Sequence, residues 1–327
     1  QVDLIVTPGV KETFIKRIEI IRNIKRILDS RDFFEVETPV LQPVYGGAAA
    51  SPFTSHHNAL DINLYLRISL EPYLKRLIVG GFDRVYEIGK CFRNEGIDRT
   101  HNPEFTMLEL YQAYADYNDM MNLAEELIVS TAIAVNGSTR VSFDGKEIDI
   151  KTPWKRIKVT DAIKEYAGLD VMSMNDDEIR DALKKYGGEV KGDYIRGLAI
   201  DELFQVLVED KLIEPTFITH QPAETTPLCK PDIEDERFLQ RFELFINGTE
   251  FANAYSESND PVFQRKTLYE QSLRRDIDEE APPMDENFVQ AIEAGMPPTG
   301  GMGIGIDRLV MLLTGEMSIR DVLLFPT

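Results

Sequence analysis

The chain has 327 residues, more than one domain of ordinary size, so one large domain with an insertion and two smaller domains both fit the length. Hydrophobic residues make up 43% of the sequence and charged residues 28%, which is typical of a folded globular protein rather than a disordered or fibrous one. The formal charge of −20 disfavours nonspecific capture of a polyanion, and no apolar run approaches ~18 residues, so we expect no membrane span.

The first predicted element is an amphipathic helix. Thr7-Pro8 offers an N-cap followed by proline, and apolar residues recur at helical spacing from Val10 to Leu28. Residues 33–40 then alternate in polarity, which predicts a strand, and Pro39 restricts that strand to a sheet edge or a strand end. An edge strand needs covering, and a second subunit is one way to cover it.

Two further strands are predicted on either side of a long polar loop. Extended patterns cover residues 84–92 and 104–114, and the turn-rich segment 93–103 lies between them. A helix is predicted over residues 118–135. The Asp144-Gly145 pair that follows indicates a second hairpin.

Helical patterns set among charged residues predict an insertion at about residues 155–214, which interrupts the sheet. The sheet resumes at residues 215–219 and 241–257, where Asn247-Gly248 is a strong signal for a two-residue hairpin. A glycine-rich strand at residues 298–308 leads into a final helix. A mostly antiparallel sheet with helices, an α+β fold, is the most economical arrangement of these elements.

The cysteines and histidines show no metal-binding spacing. Cys91 and Cys229 are far apart and belong to no CxxC pair. No zinc-ligand pattern links the four histidines, which are His56, His57, His101 and His220. We therefore expect a reducing, cytoplasmic location and no structural metal.

Neither common phosphate-binding loop occurs in the sequence. A nucleoside triphosphate would then be held by arginines and a metal ion, and Arg93, Arg99 and Arg308 are the candidates at strand and helix ends. Each arginine alone is more commonly structural. Arg308 stands out because it follows glycines that let a ligand approach the backbone closely.

Two carboxylates flank the Asn247-Gly248 turn. A two-residue turn places residue 245 opposite 250 and residue 243 opposite 252, so Glu243 and Glu250 are expected to lie diagonally on one face. Like charges this close are unfavourable without a cation, and their oxygen atoms suit Mg²⁺ beside a nucleotide. The alternative is a pair of solvated glutamates on an exposed face.

The same hairpin could supply one wall of a pocket. Asn253, Tyr255 and Glu257 share a parity opposite to that of Glu250. If all four residues line one pocket, a β-bulge at residues 251–252 must re-phase the strand.

On the earlier strand, Phe105, Met107, Glu109 and Tyr111 share a face. This pattern places the carboxylate of Glu109 among aromatic and apolar neighbours, where an unpaired charge would be costly. Glu109 is therefore expected to pair with an internal arginine, the commoner arrangement, or with a cationic group of a ligand.

Three stretches resemble the signature motifs of the class II aminoacyl-tRNA synthetases. Glu35 to Pro39 match the first motif, residues 92–95 with 101–109 match the second, and Gly301 to Leu309 match the third. Further stretches are similar to the lysine-specific branch of the family, namely Gly46-Gly47-Ala48, Arg84 to Gly89, Glu243-Leu244-Phe245, Ala252 to Glu257 and Leu323 to Pro326. Together they cover nearly the whole chain in order, which is far more specific than any one motif.

The resemblance implies a fold, an assembly and an activity. The fold is a six-stranded antiparallel catalytic sheet flanked by helices, with a helical insertion between the second and third motifs. The catalytic domain spans residues 1–327 with the insertion at about 155–214, and a homodimer is built on the first-motif helix and strand. The activity is ATP- and Mg²⁺-dependent conversion of lysine to lysyl-adenylate with release of pyrophosphate, followed by transfer to the 3′ end of tRNA.

The resemblance also implies roles in nucleotide binding. Arg93 and Arg308 are the catalytic arginines, because Arg93 contacts the α-phosphate and Arg308 holds the γ-phosphate. Phe105 stacks on adenine, and Glu243 and Glu250 bind Mg²⁺. The full set of ATP-binding residues implied in this way is Arg93, Glu95, His101, Asn102, Phe105, Glu243 and Arg308.

A lysine pocket is implied in the same way. Its residues are Gly47 and Glu71 for the α-amino group, Arg93 and Asn253 for the carboxylate, Glu109, Tyr111 and Glu257 for the ε-ammonium group, and Tyr255 and Gly303 for the wall. An ammonium group removed from water needs paired acceptors, which two glutamates and a tyrosine hydroxyl would supply. The same carboxylates would repel an aspartate side chain.

The sequence differs from the family pattern in two respects. Ser258 and the segment from Thr226 to Cys229 depart from the usual residues at positions that bear on lysine discrimination. The family's N-terminal anticodon-binding β-barrel is absent from this sequence, so tRNA recognition is expected to be weak or incomplete. Gln1 to Val6 look like the segment that joins barrel and catalytic domain, which favours a chain trimmed from a longer synthetase.

Two other functions remain open. A paralogue of the same domain could transfer lysine or β-lysine to a protein acceptor such as elongation factor P. A synthetase-like regulator could bind an amino acid or a partner without turnover. The presence of Arg93, Glu243, Glu250 and Arg308 argues against the regulator, because loss of the ATP-binding groups is the expected mark of such a protein.

Overall fold

The computed structural model describes residues 2–190, 192–273 and 281–326. Within them the α-helices are α1 (Val2–Val6), α2 (Val10–Asp29), α3 (Glu71–Val79), α4 (Tyr117–Asn136), α5 (Val159–Ala167), α6 (Asp176–Tyr186), α7 (Arg196–Leu207), α8 (Pro261–Ser272), α9 (Glu286–Glu293) and α10 (Ile306–Thr314). The strands are β1 (Phe34–Glu35), β2 (Leu41–Gln42), β3 (Thr54–His57), β4 (Ile62–Leu66), β5 (Arg84–Phe92), β6 (Glu104–Ala113), β7 (Arg140–Phe143), β8 (Lys146–Asp149), β9 (Lys155–Lys158), β10 (Thr216–Thr219), β11 (Arg241–Ile246), β12 (Thr249–Ser256) and β13 (Thr299–Gly305).

The main sheet has eight strands in the order β1-β5-β6-β13-β12-β11-β10-β9. The six central strands, β5, β6, β13, β12, β11 and β10, are antiparallel to one another. At the two edges, β1 pairs in parallel with β5 and β9 pairs in parallel with β10. The predicted α+β fold, an antiparallel-dominated sheet flanked by helices, is confirmed, but the sheet has eight strands rather than the predicted six because β1 and β9 extend it in parallel at its edges. The predicted edge strand is also confirmed, but it is only two residues long.

One face of this sheet carries the largest core. Leu108 and Leu110 on β6 and Met302 and Ile304 on β13 are buried against helices α2, α4 and α10. Full burial of one such side chain contributes about 1.5–3 kcal/mol. Because side chains alternate along a strand, the residues between these apolar ones point to the opposite face, where the site lies.

Helices α5, α6 and α7 form a second core with the outer strands of the sheet. Ile163, Leu183 and Phe204 from these helices pack with Ile218 and Phe245. This region lies between the second and third motifs and is helical, as predicted. The boundaries at about residues 155–214 and the extent of the catalytic domain over residues 1–327 stay predictions.

The first long helix begins later than its sequence pattern suggested. The cap predicted at Thr7-Pro8 is wrong, because α2 starts at Val10 after Gly9, which adopts a left-handed conformation with φ 90°. The hydroxyl of Thr7 instead donates to Asp3 Oδ1 at 3.3 Å in the preceding helix α1. From Val10 the helix runs to Asp29, one residue past the predicted apolar pattern, which ends at Leu28.

No secondary structure was predicted for residues 41–83, yet they form helix α3 and a three-stranded sheet of order β2-β4-β3. Helix α3 packs against β5 and β6 and begins at Glu71, beside the site. No helix within the described residues is long and apolar enough to cross a membrane. Cys91 and Cys229 are free thiols, and both are buried.

Candidate active site

A cavity of about 460 Å³ lies over the central strands, on the face opposite the main helical core. Every residue that the family resemblance assigned to ATP, lysine or Mg²⁺ lines this one cavity: Gly47, Glu71, Arg93, Glu95, His101, Asn102, Phe105, Glu109, Tyr111, Glu243, Glu250, Asn253, Tyr255, Glu257, Gly303 and Arg308. Arg99 does not line it, and its Nε atom donates to Met317 O at 3.3 Å. The individual contacts to ligands remain predictions.

A β-bulge brings the residues of the 241–256 hairpin to one side. Phe245 pairs with Glu250 as predicted, but Glu243 pairs with Asn253, so the predicted pairing of residue 243 with 252 is wrong. The register shifts because Phe251 is an extra residue on β12, and the predicted bulge at residues 251–252 is thereby confirmed. The shift turns both Glu250 and Asn253 toward the cavity.

Arg308 occupies one end of the cavity, directly after the glycine-rich strand β13. Its Nη1 atom donates to the backbone oxygen of Glu250 at 2.7 Å, and its Nη2 atom donates to His101 Nε2 at 3.0 Å. The other ring nitrogen of His101 lies 2.7 Å from Asp98 Oδ2. These contacts hold a guanidinium group at the cavity wall, where it can meet an anionic ligand.

Arg93 and Phe105 lie together near the middle of the cavity. The guanidinium carbon of Arg93 is 5.1 Å from the centroid of the Phe105 ring, a cation–π arrangement, and its Nε atom donates to Ile68 O at 3.4 Å. Arg93 thus covers one face of the Phe105 ring. Asn102 is buried and donates to Glu104 O at 2.7 Å, while its Oδ1 atom has no hydrogen-bond partner among the described residues. That oxygen is free to accept from a ligand.

Arg241 is a central charge that the sequence analysis missed. Its guanidinium group pairs with Glu243 and donates to Asn253 Oδ1 at 3.1 Å and to Thr225 Oγ1 at 2.8 Å. Arg241 shares the parity of Glu243 on the same strand, and that parity was the available signal. Its buried position could not be read from the local pattern.

The pair Glu243 and Glu250 fits a divalent cation. Burial raises the pKa of Glu243 against the lowering effect of Arg241, and the charges of Glu250 and Asp201 raise it further. A bound cation would relieve this repulsion, and carboxylate oxygens are the ligands that Mg²⁺ prefers. No group of three or more His, Cys, Asp or Glu side chains in the described ranges forms a metal site by itself. Phosphate or water oxygens would have to complete the coordination.

The opposite end of the cavity is strongly acidic and buried. Glu109 is 6% exposed and accepts from Ser69 Oγ at 3.1 Å, from the Leu70 amide at 3.0 Å and from the Tyr111 hydroxyl at 3.2 Å. No basic side chain in the described part of the chain forms an ion pair with Glu109, so the prediction that it pairs with an internal arginine is wrong. Burial, and then the charge of Glu71, raises the pKa of Glu109 to about 7.

Lys75 is a second charge that the sequence analysis missed. It lies on α3 with no exposed surface, and its ammonium group pairs with both Glu71 and Glu257. The spacing of Glu71 and Lys75, four residues apart on a helix, was the available signal. This spacing is informative only on a helix, and helix α3 was not predicted.

Two glycines give the acidic end its shape. Gly47 has φ +85°, and a Cβ atom there would lie 2.7 Å from Ser69 Oγ and 2.9 Å from Pro72 Cδ. At Gly301 a Cβ atom would lie 2.0 Å from Glu257 Oε1 and 2.4 Å from the Tyr111 ring. At Gly303, the glycine that the sequence analysis named, the nearest atom is Met107 Cε at 3.3 Å. A side chain at residue 301 would therefore be tolerated less well than a side chain at residue 303.

The segment that departs from the family pattern runs beside this end of the cavity. Thr226 and Leu228 line the cavity, and Cys229 is 1% exposed and forms an isolated β-bridge with Glu257. The amide of Ser258 donates to Leu228 O at 3.0 Å. The departures thus lie next to Glu257 rather than at the nucleotide end.

The model of the family "tRNA synthetases class II (D, K and N)" matches residues 1–327. The chain belongs to the class II tRNA synthetases. The family resemblance seen in the three motifs is thereby confirmed, and residues of the second and third motifs line the cavity of this synthetase.

Several relatives of this class II synthetase bear the name lysine–tRNA ligase. That of Clostridium novyi (strain NT) is 55% identical over 331 residues, with 100% of this chain and 65% of the relative covered. That of Syntrophomonas wolfei is 56% identical over 328 residues, with 100% and 66% covered. That of Thermoanaerobacter pseudethanolicus is 55% identical over 327 residues, with 99% and 66% covered. The chain therefore spans about two thirds of the length of these curated relatives.

Proposed function

We propose that this class II synthetase chain uses ATP to convert lysine to lysyl-adenylate, releases pyrophosphate, and transfers the lysyl group to the 3′ end of tRNA(Lys). The observation that carries the proposal is one continuous cavity with Arg308 at one end, Arg93 near its middle and three buried carboxyl groups at the other end. The names of the relatives favour the same substrate pair. The arrangement suits a nucleotide joined to an amino acid with a cationic side chain.

In the activation step, a carboxylate oxygen of lysine attacks the α-phosphorus, and the bond to the pyrophosphate oxygen breaks. Two anions must approach each other, so positive groups must offset their repulsion and the charge of the transition state. Arg93 would contact the α-phosphate and the lysine carboxylate, and Arg308 the γ-phosphate. No side-chain nucleophile is needed.

The remaining nucleotide contacts follow from position in the cavity. Phe105 would stack on adenine through the face that Arg93 leaves free, and Glu95, His101 and Asn102 would place the ATP. Glu243 and Glu250 would hold Mg²⁺, which neutralises phosphate charge when it is bound. Arg241 fixes the side chain of Glu243 for this purpose.

Lysine would enter with its side chain toward the acidic end. Glu109, Glu257 and Tyr111 would surround the ε-ammonium group, and Glu71 with the backbone at Gly47 would face the α-amino group. Asn253 would join Arg93 at the carboxylate, and Tyr255 and Gly303 would form the wall. An aspartate side chain would meet like charges here, and an asparagine side chain would leave buried carboxylates unpaired.

A homodimer is also proposed, and it is supported by apolar side chains on the first-motif elements. Ile15 and Ile18 on α2 are 49% and 48% exposed, and Phe34 on β1 is 60% exposed. A covering subunit would bury this surface and the free edge of β1. A cytoplasmic location likewise stays a proposal.

Lysine-dependent exchange of pyrophosphate into ATP tests the activation step. We expect exchange that requires lysine and Mg²⁺ and that is not supported by aspartate or asparagine. No exchange at saturating lysine, ATP and Mg²⁺ would overturn the proposal and favour a non-catalytic binding protein. For the acceptor, tRNA(Lys) and elongation factor P are offered in parallel with labelled lysine. Labelling of the protein alone would replace tRNA as the acceptor.

A further inference from the structure

The ammonium group of Lys75 is enclosed behind the wall of the cavity. Lys75 has no exposed surface and does not itself line the cavity, while both of its carboxylate partners, Glu71 and Glu257, do. On another side the Phe288 ring of α9 lies 5.9 Å from Lys75 Nζ. A ligand in the cavity therefore interacts with the Lys75 ammonium group only through Glu71 and Glu257.

The charges around Lys75 do not balance in the free protein. Glu71, Glu109 and Glu257 are 6%, 6% and 1% exposed, and Lys75 is their single basic partner among the described residues. Two other buried cations, Arg67 and Arg241, are paired with Glu87 and Glu243 respectively. Three buried carboxyl groups share one ammonium group, so two of them lack a cation. Each of these two either carries an unmatched buried charge, which is costly, or holds a proton, as the raised pKa of Glu109 indicates.

The deficit of two positive charges matches what free lysine carries beyond its carboxylate. Its α-amino and ε-amino groups are both protonated at neutral pH. With both groups bound, three carboxylates would face three ammonium groups. An amino acid with a neutral side chain would leave one carboxylate unmatched.

We propose that Lys75 is a specificity-determining positioning residue. Its ammonium group fixes the orientation of Glu71 and Glu257. Its charge sets the charge of the pocket, so that only an amino acid with two ammonium groups balances the three carboxylates. This inference rests on the proposed activation of lysine. Lys75 acts through the two carboxylates and touches no reacting atom. Burial alone would lower the pKa of Lys75, but the charges of Glu257 and Glu71 outweigh this effect and hold the pKa above its usual value, so the group stays charged.

The test compares Lys75→Met, which keeps length without charge, with Lys75→Arg, which keeps charge with a different shape. In lysine-dependent pyrophosphate exchange, we expect Lys75→Met to raise the KM for lysine at least about 30-fold, the loss typical of breaking a buried charge pair, with the KM for ATP changed less than about twofold. Lys75→Arg is expected to stay closer to the parent than Lys75→Met. Lys164→Met, which removes an exposed lysine paired with Asp170, is the matched control and is expected to leave both KM values unchanged.

The outcomes separate this inference from the proposed function. If the parent chain shows no lysine-dependent exchange, the proposed function fails. If the parent shows exchange but Lys75→Met keeps the parent KM for lysine, or raises the KM for lysine and for ATP equally, the role of Lys75 is overturned. A Met variant that outperforms the Arg variant would show that shape, not charge, matters, and would also overturn it.

A second variant covers the case in which Lys75→Met does not fold. Lys75→Ala is refolded with and without n-propylammonium, whose four heavy atoms match those removed and restore the positive charge. We expect n-propylammonium, and not the neutral 1-propanol of similar shape, to restore the circular dichroism spectrum and the lysine-dependent exchange. Failure of n-propylammonium to restore either signal would overturn the role of Lys75.

Discussion

Arg17, which is partly buried, forms an ion pair with the buried Asp307, with Arg17 Nη1 2.6 Å from Asp307 Oδ1. Arg17 lies on α2 and also donates to Thr106 Oγ1 at 3.0 Å, while Asp307 accepts from the Thr106 amide at 2.7 Å. Thr106 follows the ring proposed to stack on adenine, and Asp307 precedes Arg308. The pair therefore joins the helix proposed to form the dimer to the residues proposed to hold ATP.

Loss of this pair is expected to affect both stability and nucleotide binding. Arg17→Met leaves a buried carboxylate unpaired, which typically lowers the free energy of unfolding by about 3–5 kcal/mol. Displacement of Thr106 and Arg308 should raise the KM for ATP about tenfold, with a smaller effect on lysine. Urea denaturation and pyrophosphate exchange measure the two effects.

Arg22→Met is the matched control on the same helix, because Arg22 pairs with Glu19 at the surface, where the two side chains are 68% and 44% exposed. We expect its free energy of unfolding to stay within about 0.5 kcal/mol of the parent value. Equal losses in the two variants would contradict the account of the buried pair.

Glu257→Gln should separate the two ends of the cavity. The substitution removes one buried carboxylate at the lysine end, so we expect the KM for lysine to rise about 30-fold and the KM for ATP to change little. Steady-state exchange with lysine and ATP varied in turn measures both. Glu165→Gln, which removes an exposed partner of Lys155, is the control. Parallel losses for lysine and ATP would count against the role of Glu257.

Lysine binding should release a proton near neutral pH. The pKa of Glu109 is raised to about 7 in the free protein by burial and then by the charge of Glu71. A bound ammonium group favours the ionised form, so lysine affinity should increase as the pH rises from about 6 to about 8. Calorimetry in two buffers of different ionisation enthalpy counts the protons released. We expect Glu109→Gln to abolish the release, and an unchanged release in that variant would contradict the assignment.

The same carboxyl group affects the stability of the free protein. Because the folded pKa of Glu109 lies above its ordinary value of 4.5, its contribution is fully present below pH 4.5 and is lost as the pH rises through about 7. Glu109→Gln removes this loss. The variant should therefore gain stability relative to the parent between pH 5 and pH 8, as measured by urea denaturation at each pH.

Gly301→Ala should damage the acidic end more than Gly303→Ala. A methyl group at residue 301 would overlap Glu257 and Tyr111, whereas at residue 303 it would only press on the flexible tip of Met107. Overpacking of this kind typically costs about 1–3 kcal/mol. We expect Gly301→Ala to raise the KM for lysine at least about tenfold, and Gly303→Ala to raise it less. The reverse order would show that the wall at Gly301 is not part of the lysine pocket.

Local signals predicted the elements that local chemistry determines. The Asn247-Gly248 hairpin formed where it was expected, with φ of 50° and 69° at its two turn residues, which asparagine and glycine adopt more readily than most residues. Helix α6 lies in the region predicted to be helical, where Asn175 caps its start and Gly187 ends it. The bulge near Phe251 was predictable only by requiring four residues to line one pocket.

The charges that the sequence analysis missed depend on tertiary packing. Lys75 and Arg241 look like surface residues in their local patterns, and their burial follows only when α3 and β12 are brought against β6 and β11. The start of α2 was misplaced because Gly9 can adopt a left-handed conformation, which outweighed the favourable Thr7-Pro8 pair. Family motifs predicted the cavity residues, whereas the buried cations behind them required the structure.

The central claim is that one cavity holds a nucleotide and a lysine as a single joined ligand. Calorimetric titration with the non-hydrolysable sulfamoyl analogue of lysyl-adenylate tests it most directly, because the analogue occupies both ends at once. We expect it to bind at least about 100-fold more tightly than lysine or ATP alone, and to lose affinity in both Glu257→Gln and Arg308→Gln. An analogue that binds no better than lysine, or that is insensitive to one of the two substitutions, would contradict the claim.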